Sequence, residues 1–165
     1  MTSPDTPHPI DLAAAPLCEA LLALNNAHAA ELSLLEAARF AHLVREAFWA
    51  CRIGEADAFM LVFDQDADYD SPNFLWLRER YPRFVYVDRI CVAPAARGRG
   101  LARLLYEQLF VMARAAGHET VVCEVNLEPP NPGSDAFHAA LGFAEVGRAA
   151  IHGGAKIVRY LARPL

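Results

Sequence analysis

Residues 85–102 narrow the choice of fold more than any other stretch of the chain. The run Val85-Tyr86-Val87-Asp88-Arg89-Ile90-Cys91-Val92 is rich in β-branched residues and reads as a strand, which Pro94 ends. Gly98 and Gly100 then form a turn that opens a helix. Leu101, Leu104, Leu105, Leu109 and Met112 recur at helical spacing, predicting an amphipathic helix over 98–116 that stops at Gly117. A strand over 120–125 follows, and strand–helix–strand of this length implies a parallel, right-handed crossover. Glycines at a helix start let a ligand approach the backbone closely. The first N–H groups of a helix lack internal partners, so this turn suits an anion such as phosphate, with Arg97 and Arg99 adding charge.

The flanking segments supply the other elements. Helical patterns cover 17–24, interrupted near Asn25-Asn26, and 33–47, with Ser33 as N-cap. Strand-like runs at 48–53 and 58–63 make a hairpin, and 64–81 reads as a long polar and aromatic connection. Beyond the crossover come a Pro- and Asn-rich loop, a short helix over 134–141 stopped by Gly142, and two final strands, 143–150 and 155–161, around His152-Gly153-Gly154. The expectation is an α+β domain with a mixed sheet. At 165 residues it is one domain, 10–165, behind a disordered Pro-rich tail, 1–9.

Composition excludes several function classes. A formal charge of −5 and no broad basic face argue against nucleic acid as a partner. No stretch is long and apolar enough for a membrane span, and the start lacks the pattern of a signal peptide. The four cysteines, Cys18, Cys51, Cys91 and Cys123, are scattered without metal spacing, so a reducing cytoplasm and no metal are expected. Asp64, Asp66, Asp68 and Asp70 lack the glycine of a calcium loop and read as a solvated acidic face, at most attracting a cationic acceptor. Lys156 is the only lysine among 15 Lys and Arg residues, read as a compositional bias.

Taken in order, the motifs resemble those of the GNAT superfamily of acyl-CoA-dependent N-acyltransferases. Arg97, Gly100 and Ala102 meet its Arg/Gln-x-x-Gly-x-Gly/Ala loop, and Val92-Ala93-Pro94 its Val-x-Pro. Downstream, Asn131, Ser134, Phe137, His138 and Gly142-Phe143 follow its Asn, small residue, aromatic and Gly-Phe block. The likeness runs from about residue 48 to 165. It implies a mostly antiparallel central sheet flanked by helices, with one parallel crossover and a splayed strand pair.

The resemblance also implies acetyl transfer from acetyl-CoA to a primary amine of a small molecule or peptide, by direct attack in a ternary complex. The amides of Gly98, Arg99, Gly100, Leu101 and Ala102 would hold the pyrophosphate beside Arg97. The backbone of Ile90, Cys91 and Val92 would pair with pantetheine, the Cys91 amide polarising the thioester carbonyl. Phe137 and Asn131 would complete the channel, although Asn131 could equally shape its loop.

An ammonium, with pKa about 10, must lose a proton before it attacks. Tyr86, Asp88 and Ile90 fall on one face in the simplest period-two reading. Asp88 is the preferred base, with Tyr86 orienting it; otherwise Asp88 merely pairs with Arg89 or Arg83. His138 stands where the family has a tyrosine that protonates the departing sulfur. Asn25 and Asn26, with His28 beside them, and Phe74 and Trp76 are candidates for the acceptor site. A homodimer is common among similar proteins. A CoA-binding sensor that has lost its chemistry and a protein-modifying acetyltransferase are the alternatives.

Overall fold

A computed structural model describes residues 3–165, and the first two residues of the expected tail lie outside them. The chain runs β1 (His8–Pro9), α1 (Ala15–Ala27), α2 (Ala29–Leu32), α3 (Ala37–Glu46), β2 (Trp49–Ile53), β3 (Ala58–Asp64), α4 (Pro72–Arg78) and β4 (Val85–Val92). It continues with α5 (Leu101–Ala115), β5 (Thr120–Glu128), α6 (Pro132–Ala140), β6 (Ala144–Ile151) and β7 (Lys156–Pro164). One sheet takes the order β1-β2-β3-β4-β5-β7-β6, and β4–β5 is its parallel pair. No helix among the described residues is long and apolar enough to cross a membrane.

Residues 58–63 of β3 are all buried, as a central strand covered on both faces requires. On one face α5 inserts Leu101, Leu105, Leu109 and Ala113 against Met60, Val62, Val85 and Val121. On the other, α1, α3 and α4 bring Leu21, Phe40, Leu43, Phe74 and Leu77 onto Phe59, Leu61, Phe63 and Tyr86. The expected helix end at Gly117 is a Schellman closure, with His118 N–H bonded to the Ala113 carbonyl at 2.9 Å and Gly117 N–H to that of Arg114.

Four local expectations are corrected. Helix α1 continues through Asn25 and Asn26, because their amides bond the Ser33 and Leu35 carbonyls instead of competing with their own helix. Ser33 is not an N-cap; its φ of 67° turns the chain between α2 and α3. The connection over 64–81 contains α4, begun by Pro72 and held by Phe74 and Leu77, which are buried on one helical face. His8–Pro9, inside the expected disordered tail, pairs with β2 as an edge strand, where a proline is tolerated.

Two irregularities in β4 shape everything that follows. It bonds β5 only through Val85↔Val121 and Tyr86↔Val122, after which the strands part. Against β3 it carries a bulge, since Leu61 faces Arg89 while Val62 faces Val87, leaving Asp88 as the extra residue. The period-two expectation fails there: Tyr86 packs in the α1/α3/α4 layer, and Ile90 packs toward α5.

Candidate active site

The gap between β4 and β5 is lined end to end by distinct groups. At the α5 end, Gly98 and Gly100 take φ of 80° and 74°. A Cβ on either would meet nothing within 4 Å, so the backbone angle, not crowding, calls for glycine. Helix α5 has no side-chain cap, and among the described residues the amides of 98–102 have no hydrogen-bond partner. Five unpaired donors on an open turn fit a diphosphate.

Around them lies a cavity of about 330 Å³ walled by Val92, Arg97, Leu101, Arg103 and Phe137. Arg99 does not join this wall; its guanidinium is held by Asp5 and Asp57. Arg103 lines it instead, a residue the sequence reading did not single out.

Next along β4 is a channel of about 530 Å³ bordered by His28, Leu32, Ile90, Val92, Arg97 and Asn131. Ala93 N–H donates to the Asp57 carbonyl on the β3 side. Antiparallel alternation therefore turns the Cys91 amide toward Phe59 and those of Ile90 and Val92 toward the gap. The amide singled out at Cys91 thus faces β3 and not the gap, although Cys91 borders the channel. Asn131 caps α6, its Oδ1 accepting from Ser134 N–H at 3.3 Å, and so shapes its loop while lining the channel.

The middle of the gap narrows to about 130 Å³ beside Asp88, Glu124, Tyr106 and His138. The Asp88 side chain is buried and both its oxygens are engaged: Arg89 Nε donates to one at 2.7 Å and the Tyr69 hydroxyl to the other at 2.6 Å. Arg89 is in turn bound to Asn25 Oδ1 at 2.9 Å. Tyr86 does not orient Asp88; its hydroxyl donates to Glu124 Oε2 at 2.7 Å, while Asn73 Nδ2 donates to Oε1 at 3.1 Å. Burial first, and then the Asp88 charge, push the Glu124 carboxyl up to about 8. Sequence reasoning missed Glu124. The signal was there, a lone carboxylate in the apolar run Val121-Val122-Cys123-Glu124-Val125.

His138 sits in an aromatic nest of Tyr106, Phe137 and Phe143. Its Nδ1 lies 2.7 Å from the Ser134 carbonyl, which assigns the proton there, and Nε2 accepts from the Tyr106 hydroxyl at 2.7 Å. Burial lowers its pKa, keeping the ring neutral.

At the far end, a cavity of about 470 Å³ reaches Arg39, Asn73, Asp88, Glu124, Asn126 and Lys156. None of the four residues expected at the acceptor site lines it. Asn25 and Asn26 tie down the loop after α1. Phe74 is enclosed by Tyr69, Phe84 and Tyr86, and Trp76 stacks on Tyr160 at 4.0 Å beneath Arg80. Among the described residues, no cluster of three or more His, Cys, Asp or Glu could hold a metal.

Known proteins share this fold. Residues 36–143 match the sequence model of the Acetyltransferase (GNAT) family. The L-2,4-diaminobutyric acid acetyltransferase of Nocardia farcinica is 36% identical over 66 residues, 40% of this chain and 33% of that protein, so the match spans about a third of the relative. Among solved structures, Ard1 from Thermoplasma volcanium superimposes with a TM-score of 0.73 at 13% identity, covering 97% of both chains. Naa20 from Chaetomium thermophilum, solved with a bisubstrate analogue, gives 0.75 at 18% identity, covering 97% of this chain and 86% of that one. These two likenesses speak for the fold, and the sequence match speaks for the family: the chain is a member of the acetyltransferase (GNAT) family.

Proposed function

We propose that this protein moves an acetyl group from acetyl-CoA to a primary amine of a small molecule or peptide, with Glu124 as the base. One observation carries the reading: the β4–β5 gap has unpaired helix-start amides at one end and a carboxylate of raised pKa at the other. Acetyl-CoA, when bound, supplies an activated acyl group as a thioester. Residues 98–102 would hold its diphosphate with Arg97 and Arg103 alongside, and the edge amides of Ile90 and Val92 would pair with its pantetheine arm.

Glu124, its carboxyl raised to about 8, is a suitable base for the proton of an ammonium near pKa about 10. Asp88, ion-paired with Arg89, keeps Glu124 basic, because its negative charge acts on Glu124 more strongly than the Arg89 charge does. Tyr86 and Asn73 fix both Glu124 oxygens. The proton for the departing sulfur is assigned to the Tyr106–His138 pair at the edge of the same cavity.

The test is acceptor-dependent release of free thiol from acetyl-CoA across a panel of amines that includes diaminobutyrate and peptide N-termini. Turnover with a rising pH limb near 8 supports the assignment. CoA binding without release of thiol for any amine overturns it in favour of a sensor.

A further inference from the structure

Lys156 has a place in the fold that compositional bias does not explain. On β7, Tyr160 faces Glu124 across the β5–β7 ladder, and Lys156 lies four positions earlier on the same face. That is about 13 Å of strand, at about 3.3 Å per residue. Both side chains nevertheless line one cavity, so the base and this ammonium stand at two ends of a single space.

The other charges on its walls are largely spoken for. Arg39 is paired with Asp70 at 3.2 Å, and Asp88 with Arg89. Lys156 makes no ion pair among the described residues; its Nζ donates to the Ala30 carbonyl at 3.1 Å. The next residue, Glu31, lines the cavity without a cation partner among the described residues. A lone cation and a lone anion on the walls of one cavity with the base match the two charges of an amino-acid head group.

We propose that the acceptor is a free diamino acid, its side-chain amine directed at Glu124, its α-carboxylate on Lys156 and its α-ammonium toward Glu31. This rests on the acetyltransferase reading above and narrows it. A peptide N-terminus has no free α-carboxylate on the residue that bears its amine, and a plain diamine leaves Lys156 unanswered.

The test compares ornithine and lysine with putrescine and cadaverine, the diamines left when each loses its carboxylate. The wild-type enzyme should favour each amino acid by about tenfold or more in kcat/KM, the loss expected for one charged hydrogen bond. In Lys156→Met that ratio should fall to near one through KM, and in Lys156→Arg it should be retained. Equal use of amino acids and diamines by the wild-type enzyme, or an unaltered ratio in Lys156→Met, overturns the inference while leaving the acetyltransferase reading intact. If no amine releases thiol, that reading fails separately. The inference is then judged by calorimetric binding of ornithine against putrescine in the presence of CoA, where equal affinities overturn it.

Discussion

The two ends of the β4–β5 gap are built from different materials. The end proposed to take phosphate is made of main chain, with glycines at positive φ and a helix start whose amides are unpaired. The acceptor end is made of side chains drawn from α1, α4, β4, β5 and β7 and joined by hydrogen bonds. The first arrangement depends on local backbone angles. The second depends on which distant segments the sheet brings together. Substitutions at the two ends should therefore fail in different ways.

The largest expected effect lies at the side-chain end. Glu124→Gln can still accept from Asn73 and can donate to the Tyr86 hydroxyl instead of accepting from it, but it removes the base, and kcat should fall about a hundredfold or more with little change in acetyl-CoA KM. The rising limb of the pH–rate profile near 8 should vanish with it. A limb that survives would pass the role to another group.

Asn25→Ala should act on stability instead. It strands buried Arg89 and the Ser33 carbonyl, costing about 1–3 kcal/mol in urea unfolding. Gly100→Ala sharpens the contrast, because a Cβ there has open space but the wrong backbone angle. Its penalty of about 1–2 kcal/mol predicts an acetyl-CoA KM raised about tenfold with kcat nearly kept.

Stability should also report on Glu124 directly. Its carboxyl is raised in the folded state from the usual 4.5 to about 8, so folding retains a proton that the unfolded chain releases. The wild type should thus lose stability relative to Glu124→Gln as pH rises from about 4.5 to 8, and the difference should level off above that. The smallest effect is expected at Arg99. Arg99→Ala should leave acetyl-CoA affinity within twofold, because Asp5 and Asp57 already hold that side chain.

The same contrast explains what the sequence revealed. Gly98, Gly100, Gly117 and Pro94 act on their own backbone, so the crossover and its glycine turn were legible in order. Asp88 was legible as a residue, yet its surroundings were not, because one bulge in β4 reverses which face each later residue takes. Nothing in the spacing of Tyr86, Asn73 and Tyr160 announces that they converge on Glu124; 87 residues separate the last two. Asn25 and Asn26 drew attention as polar residues in a helical run, and their amides serve the loop that follows.

The two-rung seam between β4 and β5 has a mechanical consequence. It divides the sheet into two plates, β1 to β4 and β5 to β6, stitched by Val85↔Val121 and Tyr86↔Val122. Helix α5 shares one apolar layer with Val87 on one plate and Val121 on the other. It works as a splint, and the hinge it braces lies next to Tyr86, the residue that aims Glu124.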